Sequence, residues 1–304
     1  MPAPSKFARG CLPLLALCCA MPLHAQQVIA DDELLEPERP EAWAMHYMTA
    51  STLMTSFGPV PALRPGGWQV AAELGEIPHL DYRQTVVGFN GTKPEDLNKS
   101  PVTGRVRGWL GLPAGFVAEL AWIPPVEIDG AKPRDPWAAA IGRRVFDADG
   151  IVVSLRAFGQ HGAATGDITC PGDLAGIEDF SINPYGCDAP SSDTLSMHYY
   201  GLEATAALVT GAWTWHASGG VVRMENQVQV DAMRFAFRDR TRLVANDDVP
   251  MLAAGVGRSF GGGWHAAAEV LYVPLTVLRD AAASADSDPL LSFRLQLRYA
   301  FDAP

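Results

Sequence analysis

Ionisable side chains recur at alternate positions along this sequence: Glu73, Arg105 and Arg107, Glu119, Arg144, Arg156, Glu203, Glu269, then Arg294 and Arg298. Carboxylates and guanidinium groups set out in this way can form charge-assisted pairs, or line a polar path in which six arginines outweigh four glutamates and favour anions. Cys170 and Cys187 stand in a Gly/Pro/Asp-rich stretch and suit one disulfide. His161, Asp167, Asp193 and His198 are of the types that activate water, and Ser196 with His198 has the types of a nucleophile and its base. The seven histidines are too scattered to read as metal ligands. A phosphate-binding glycine loop is also missing, because Gly255-Val-Gly257 runs into Arg258 and Gly261-Gly-Gly263 reads as a turn. No cofactor and no metal is expected.

The elements that must position these groups follow from composition. The chain has 304 residues, net charge -11 and 48% apolar residues. That acidity leaves no basic face for a nucleic-acid partner. The 29 Gly and 24 Pro do not suit a helix bundle. Mean hydropathy is +0.05, and beyond the first 25 residues no apolar run is long enough for a transmembrane helix. Any membrane-spanning structure must therefore be a closed barrel.

Residues 1–25 place Lys6 and Arg9 before the apolar stretch Cys11–Ala20 and end on Leu23-His24-Ala25, the order of a secretory signal peptide. Its removal takes Cys11, Cys18 and Cys19 with it and leaves the pair Cys170 and Cys187.

From Trp68 onward, segments of about ten residues alternate large apolar with small or polar residues, which is the signature of an antiparallel transmembrane β-barrel. The last is the clearest: Phe293, Leu295, Leu297, Tyr299 and Phe301 share one face, and Arg294, Gln296 and Arg298 the other. The same reading gives ten strands near 68–80, 101–112, 116–124, 137–146, 151–161, 196–209, 213–224, 240–260, 264–275 and 290–301. Short connections at 113–115, 147–150, 210–212 and 261–263 alternate with long ones, as periplasmic turns alternate with outer loops. Both ends of the barrel then fall on the periplasmic side, and the cysteine pair lies in the longest outer loop. Residues 26–66 do not fit the repeat. They read as a periplasmic or lumen-entering N-terminal segment with a helical stripe at Trp43, Tyr47 and Met54, and two further strands, twelve in all, are the alternative.

With this leader, these strands and the aromatic-rich ending Arg298-Tyr-Ala-Phe301, the chain resembles bacterial outer-membrane β-barrel proteins as a class. The resemblance implies an outer-membrane location, partners in membrane lipid, lipopolysaccharide and the barrel-assembly machinery, and a lumen receiving the ten charges named above. Gln69, Ser154, Thr205, His216, His265 and Gln296 join them on that face. Ten strands enclose a narrow lumen, so matched Arg and Glu read first as a salt-bridged core and a wide pore is not expected. Glu73 is expected beside Arg105 and Arg107, Arg156 beside Glu203, and Glu269 beside Arg294.

Seven tryptophans, Trp68, Trp109, Trp122, Trp137, Trp213, Trp215 and Trp264, suit interfacial girdles. Acidic loop residues such as Glu95, Asp96, Asp173, Glu178, Asp188 and Asp280 suit a solvated outer face or cation bridges to lipopolysaccharide. Some ten-stranded outer-membrane barrels, the omptins, are proteases with Asp and His at the outer rim. No residue here matches that family's spacing, and a hydrolase is the least favoured reading.

Overall fold

The computed structural model describes residues 28–280, 282 and 284–301. The signal-peptide reading of residues 1–25 lies outside them.

Ten antiparallel strands close into a barrel. In chain order they are β1 (Trp68–Glu76), β2 (Val102–Gly111), β3 (Phe116–Trp122), β4 (Lys132–Ala148), β5 (Ile151–Gly166), β6 (Asp193–Thr210), β7 (Trp213–Gln229), β8 (Arg242–Gly261), β9 (Trp264–Val273) and β10 (Leu290–Ala300). Each pairs with its chain neighbours, and β10 closes the ring against β1 in the register Leu295 with Leu74. A closed ring leaves no continuous edge, which a bilayer requires of a spanning sheet.

Outside and inside alternate with the two-residue period. On β10, Leu291, Phe293, Leu295 and Leu297 are 46–59% exposed while Ser292, Arg294 and Gln296 are buried. Leu74, Leu120, Ile141, Leu155, Leu202 and Leu252 continue the exposed apolar band around the barrel. Trp68, Trp137, Trp213, Trp215 and Trp264 join that outer face, and Trp122 stacks on Trp137. Trp109 departs from the girdle expected of it: it is buried inside, packed with Val60, Ala71 and Val117 and close to the guanidinium groups of Arg107 and Arg298.

The wall is uneven. Strands β4 to β8 have 16 to 20 residues, whereas β9, β10, β1, β2 and β3 have 7 to 11. The tall side continues into a small hairpin, Ala232–Arg234 with Phe237–Asp239. Beside it the Cys170–Cys187 disulfide closes the long loop.

The segment before β1 fills the barrel. At the long-loop end Val28–Ile29 pairs with the hairpin and Asp32–Leu34 runs parallel to the start of β8. Helix α1 (Pro40–Ser51) follows, opened by Pro40, whose fixed φ and missing N–H suit a first turn. All its residues except Met48 are buried. Residues 52–67 then descend to the short-turn end and pass into β1. Two lumen-side glycines make room for this descent: a Cβ on Gly111 would stand 2.2 Å from the Arg64 carbonyl oxygen, and one on Gly142 would stand 2.7 Å from Val60. The described chain thus starts at the long-loop end, opposite to both ends of the barrel.

Candidate functional site

The alternating strands project the predicted charges inward, and among the ten the lumen-facing Glu73, Arg105, Arg107, Glu119, Arg156, Glu203, Glu269 and Arg294 are buried. Part of the set forms an ion chain. Glu73 meets the Arg107 Nε at 2.9 Å, Glu119 lies 3.6 Å from Arg107 and 3.1 Å from Arg156, and Arg156 closes on Glu203. Gln296 donates to Glu73 at 2.8 Å.

The remaining guanidinium capacity goes to the backbone of the plug. A helix leaves its last carbonyls without internal partners and concentrates partial negative charge there. Arg294, from β10, donates to the carbonyls of Leu53, Ala50 and Ser51 at 2.5, 3.2 and 3.1 Å. Arg105, from β2, reaches Thr52 O, Arg156 reaches Met54 O at 2.9 Å and Arg107 reaches Thr55 O at 2.8 Å. Lower down, Arg144 reaches Val60 O at 2.6 Å. Five arginines on four strands thus hold one descending chain by its carbonyls. The arginine excess over glutamate has its counter-charge in backbone dipoles.

Two expected neighbours therefore have other partners. Glu73 and Arg105 are cross-strand partners in register, as are Glu269 and Arg294. Arg105 nevertheless turns to the plug and to Gln160 at 3.0 Å, and Glu269 meets His216 at 3.2 Å. Arg144 pairs with Asp147 near the short turn, partly in solvent. Arg298 lies beside Trp109. Polar residues outside the expected set complete the seal. Tyr199 donates to Thr52 O at 3.1 Å and accepts from Met54 N at 2.9 Å, and Thr49 donates to Asn226 at 3.0 Å.

The rim groups do not converge on a reacting centre. His161 and His198 stack at 4.2 Å, yet both leave the lumen face, on which their neighbours Gln160, Met197 and Tyr199 are buried. Ser196 shares the His198 face by the same alternation. Asp193 is buried and accepts from Thr169 N, Ser191 Oγ and Asp231 N at 2.7, 2.7 and 3.1 Å. Burial opposes ionisation of Asp167, but the Lys99 ammonium and the Gly172 N–H hold its carboxyl below the usual range. Burial pushes the nearby Glu95 up to about 7 against the pull of Lys93.

Among the acidic loop residues, Asp96 pairs with Lys99, Asp286 with Arg83, Asp288 with Arg279 and Asp248 with Arg223. Among the described residues no group of three or more His, Cys, Asp or Glu could hold a metal ion.

Above the plug an apolar cavity of about 810 Å³ lies between α1 and the wall. Met45, Met48, Ile168, Leu195, Met197 and Leu243 contribute to its lining.

A closed ring of strands with an apolar outside and a charged inside defines a bacterial outer-membrane β-barrel. No protein family matches the sequence, and no curated relative does. Solved structures of similar fold include three bacterial outer-membrane proteins. The Ail attachment protein of Yersinia pestis is 9% identical with a TM-score of 0.29, over 78% of this chain and 100% of that one. The protease OmpT of Escherichia coli is 8% identical with a TM-score of 0.36, over 78% and 94%. The translocator domain of the autotransporter NalP of Neisseria meningitidis is 12% identical with a TM-score of 0.42, over 88% and 100%.

Proposed function

We propose that the protein is a non-conducting outer-membrane barrel that binds at its long-loop end, with its lumen closed by its own N-terminal segment. The observation that carries this reading is the row of five arginines from four strands on the carbonyls of residues 50–60. A buried charge left without its partner is costly, so each of these contacts resists withdrawal of the plug. On this reading, the partners are outer-membrane lipid, lipopolysaccharide and, during biogenesis, the barrel-assembly machinery. The rim carboxylates have internal partners, which favours binding over hydrolysis.

The test is single-channel recording of the mature chain in planar bilayers, with Arg105→Ala and Arg156→Ala alongside. Silence from inserted wild-type barrels is expected, with brief openings in the variants. Steady wild-type openings altered by these substitutions would make the protein a channel.

A further inference from the structure

The barrel wall has a gap on its low side. β2 and β3 pair from Gly111 with Val117 up to Val106 with Trp122, and no further. Above that point Val102–Arg105 of β2 pair only with β1. The cause is legible in the chain: β3 runs into Ile123-Pro124-Pro125, and two prolines have no N–H to offer a ladder. On the far side, Pro133 and Pro136 carry β4 past this level with β5 as its ladder partner. At about 3.3 Å per residue and a tilt near 40°, Val102–Arg105 stand about 15–23 Å above the short turn, in the upper half of a belt about 25 Å tall.

This gap joins the apolar cavity to the outside. The lining runs from Met45 and Met48 on the plug helix to Leu74 and Val102 on one lip and Ile123 and Val126 on the other. Leu74, Val102 and Val126 are 57, 42 and 61% exposed. The lips therefore belong both to the lipid-facing surface and to the cavity. Methionine is well suited to such a lining, because its unbranched thioether adapts to irregular apolar shapes. The edge of β2 that lacks a ladder partner, where Ser100 Oγ serves only the Val102 carbonyl, makes a second demand. Backbone N–H and C=O groups at bilayer depth need hydrogen-bonding partners, which hydrocarbon cannot supply. An amphiphile meets both conditions, with a chain for the cavity and ester or headgroup oxygens for the edge. Lys132 lines the same space with a half-exposed side chain.

We propose that a lipid of the outer leaflet inserts one acyl chain sideways between β2 and β3 into the cavity above the plug. The volume lies within the usual range for a small-molecule site, about 300–1,000 Å³. The proposal rests on the plug reading, since α1 forms the inner wall of the site.

The probe is a phosphatidylethanolamine carrying a diazirine at the end of one acyl chain, incorporated in proteoliposomes with the full mature chain. After illumination, peptide mass spectrometry should find adducts on Met45 and Met48, which lipid on the outer surface of an intact wall does not reach. Met48→Trp narrows the cavity, and labelling of Met45 should fall several-fold in barrels that keep heat-modifiable migration on gels. Ala164→Phe, on the β5 side of the same cavity, gives a second variant with the same expectation. Adducts confined to Leu74, Val102 and other outward side chains would overturn the proposal. Plug adducts from a diazirine fatty acid added in water, without any from the bilayer lipid, would overturn it as well, because access would then be from the loops. A cross-link between plug and wall distinguishes the two levels: absent adducts with Thr49 bonded to position 226 refute the lipid site alone, and absence of that bond refutes the plug.

Discussion

Replacing Arg294 by methionine keeps most of the volume of the side chain and removes the guanidinium that serves three plug carbonyls. The side chain is fully inside the barrel, so water cannot readily take over all three bonds. A charged hydrogen bond contributes about 1.5–3 kcal/mol, and a carbonyl left buried and unpaired costs about 1–3 kcal/mol. Removal of a cation that has no full carboxylate partner recovers part of that loss, because its desolvation also disappears. A net loss of about 3 kcal/mol is expected, confined to the plug, and is worth about a hundredfold in an opening equilibrium. The assay is hydrogen exchange of a chain of residues 26–304 in micelles. Amides of Thr52, Leu53 and Met54, which donate to Thr49 O, Ala50 O and Tyr199, should exchange about a hundredfold faster. Strand amides of β5 to β7 should keep their wild-type rates. Arg223→Met removes an exposed pair with Asp248 and should change neither, since such pairs contribute about 0–1 kcal/mol. Unchanged plug exchange in Arg294→Met would mean that the wall does not hold the plug through its carbonyls.

Glu119→Gln breaks the carboxylate shared by Arg107 and Arg156 and should lower barrel stability by about 3 kcal/mol, read as a shifted denaturant midpoint in micelles. Changing both Cys170 and Cys187 to serine releases a loop with a sequence separation of 17, a constraint of about 3 kcal/mol; limited proteolysis should cut residues 171–186 faster while heat-modifiable migration persists. Glu95 binds its proton more tightly folded, at about 7, than unfolded, at 4.5. Its contribution is therefore fully present below pH 4.5 and is lost as pH rises to about 7, so exchange in loop 81–100 should quicken across that window and Glu95→Gln should flatten the dependence. Gly142→Val places a branched side chain where Val60 passes and should expose the plug to protease, an effect that Val60→Ala reverses.

The strands were legible because a bilayer enforces alternation. One face of every strand meets hydrocarbon, so large apolar residues repeat with period two, and Phe293 to Leu297 separate cleanly from Arg294 and Gln296. The ends of the tall strands were less so. Above the membrane Lys132–Arg134 of β4 and Leu243–Val249 of β8 meet water, loop and plug rather than lipid, and the alternation fades. Helix α1 showed only through Trp43 and Tyr47, and its bounds did not: it ends at Ser51, before Met54, and burial all round except at Met48 leaves no polar face to mark its extent. The charges were found, yet their partners were only partly visible. Sequence shows carboxylates but not the backbone carbonyls of residues 50–60, to which five of the six arginines donate. The gap beside β2 had a signal, Pro124-Pro125, that acquires meaning only once β3 is known to be the neighbour of β2.

The placement of the plug is tested most directly by a disulfide between Thr49 and Asn226, whose side-chain oxygens lie 3.0 Å apart inside the barrel. The Thr49→Cys/Asn226→Cys protein, in a Cys170→Ser/Cys187→Ser background and assembled in the outer membrane, should cross-link almost completely on mild oxidation. A Thr49→Cys/Thr205→Cys protein should stay reduced, because Thr205 meets Ser56 further down the lumen. Efficient bonding of the first pair alone is expected; free thiols at 49 and 226 in a folded barrel would mean that the segment does not occupy the lumen in this way.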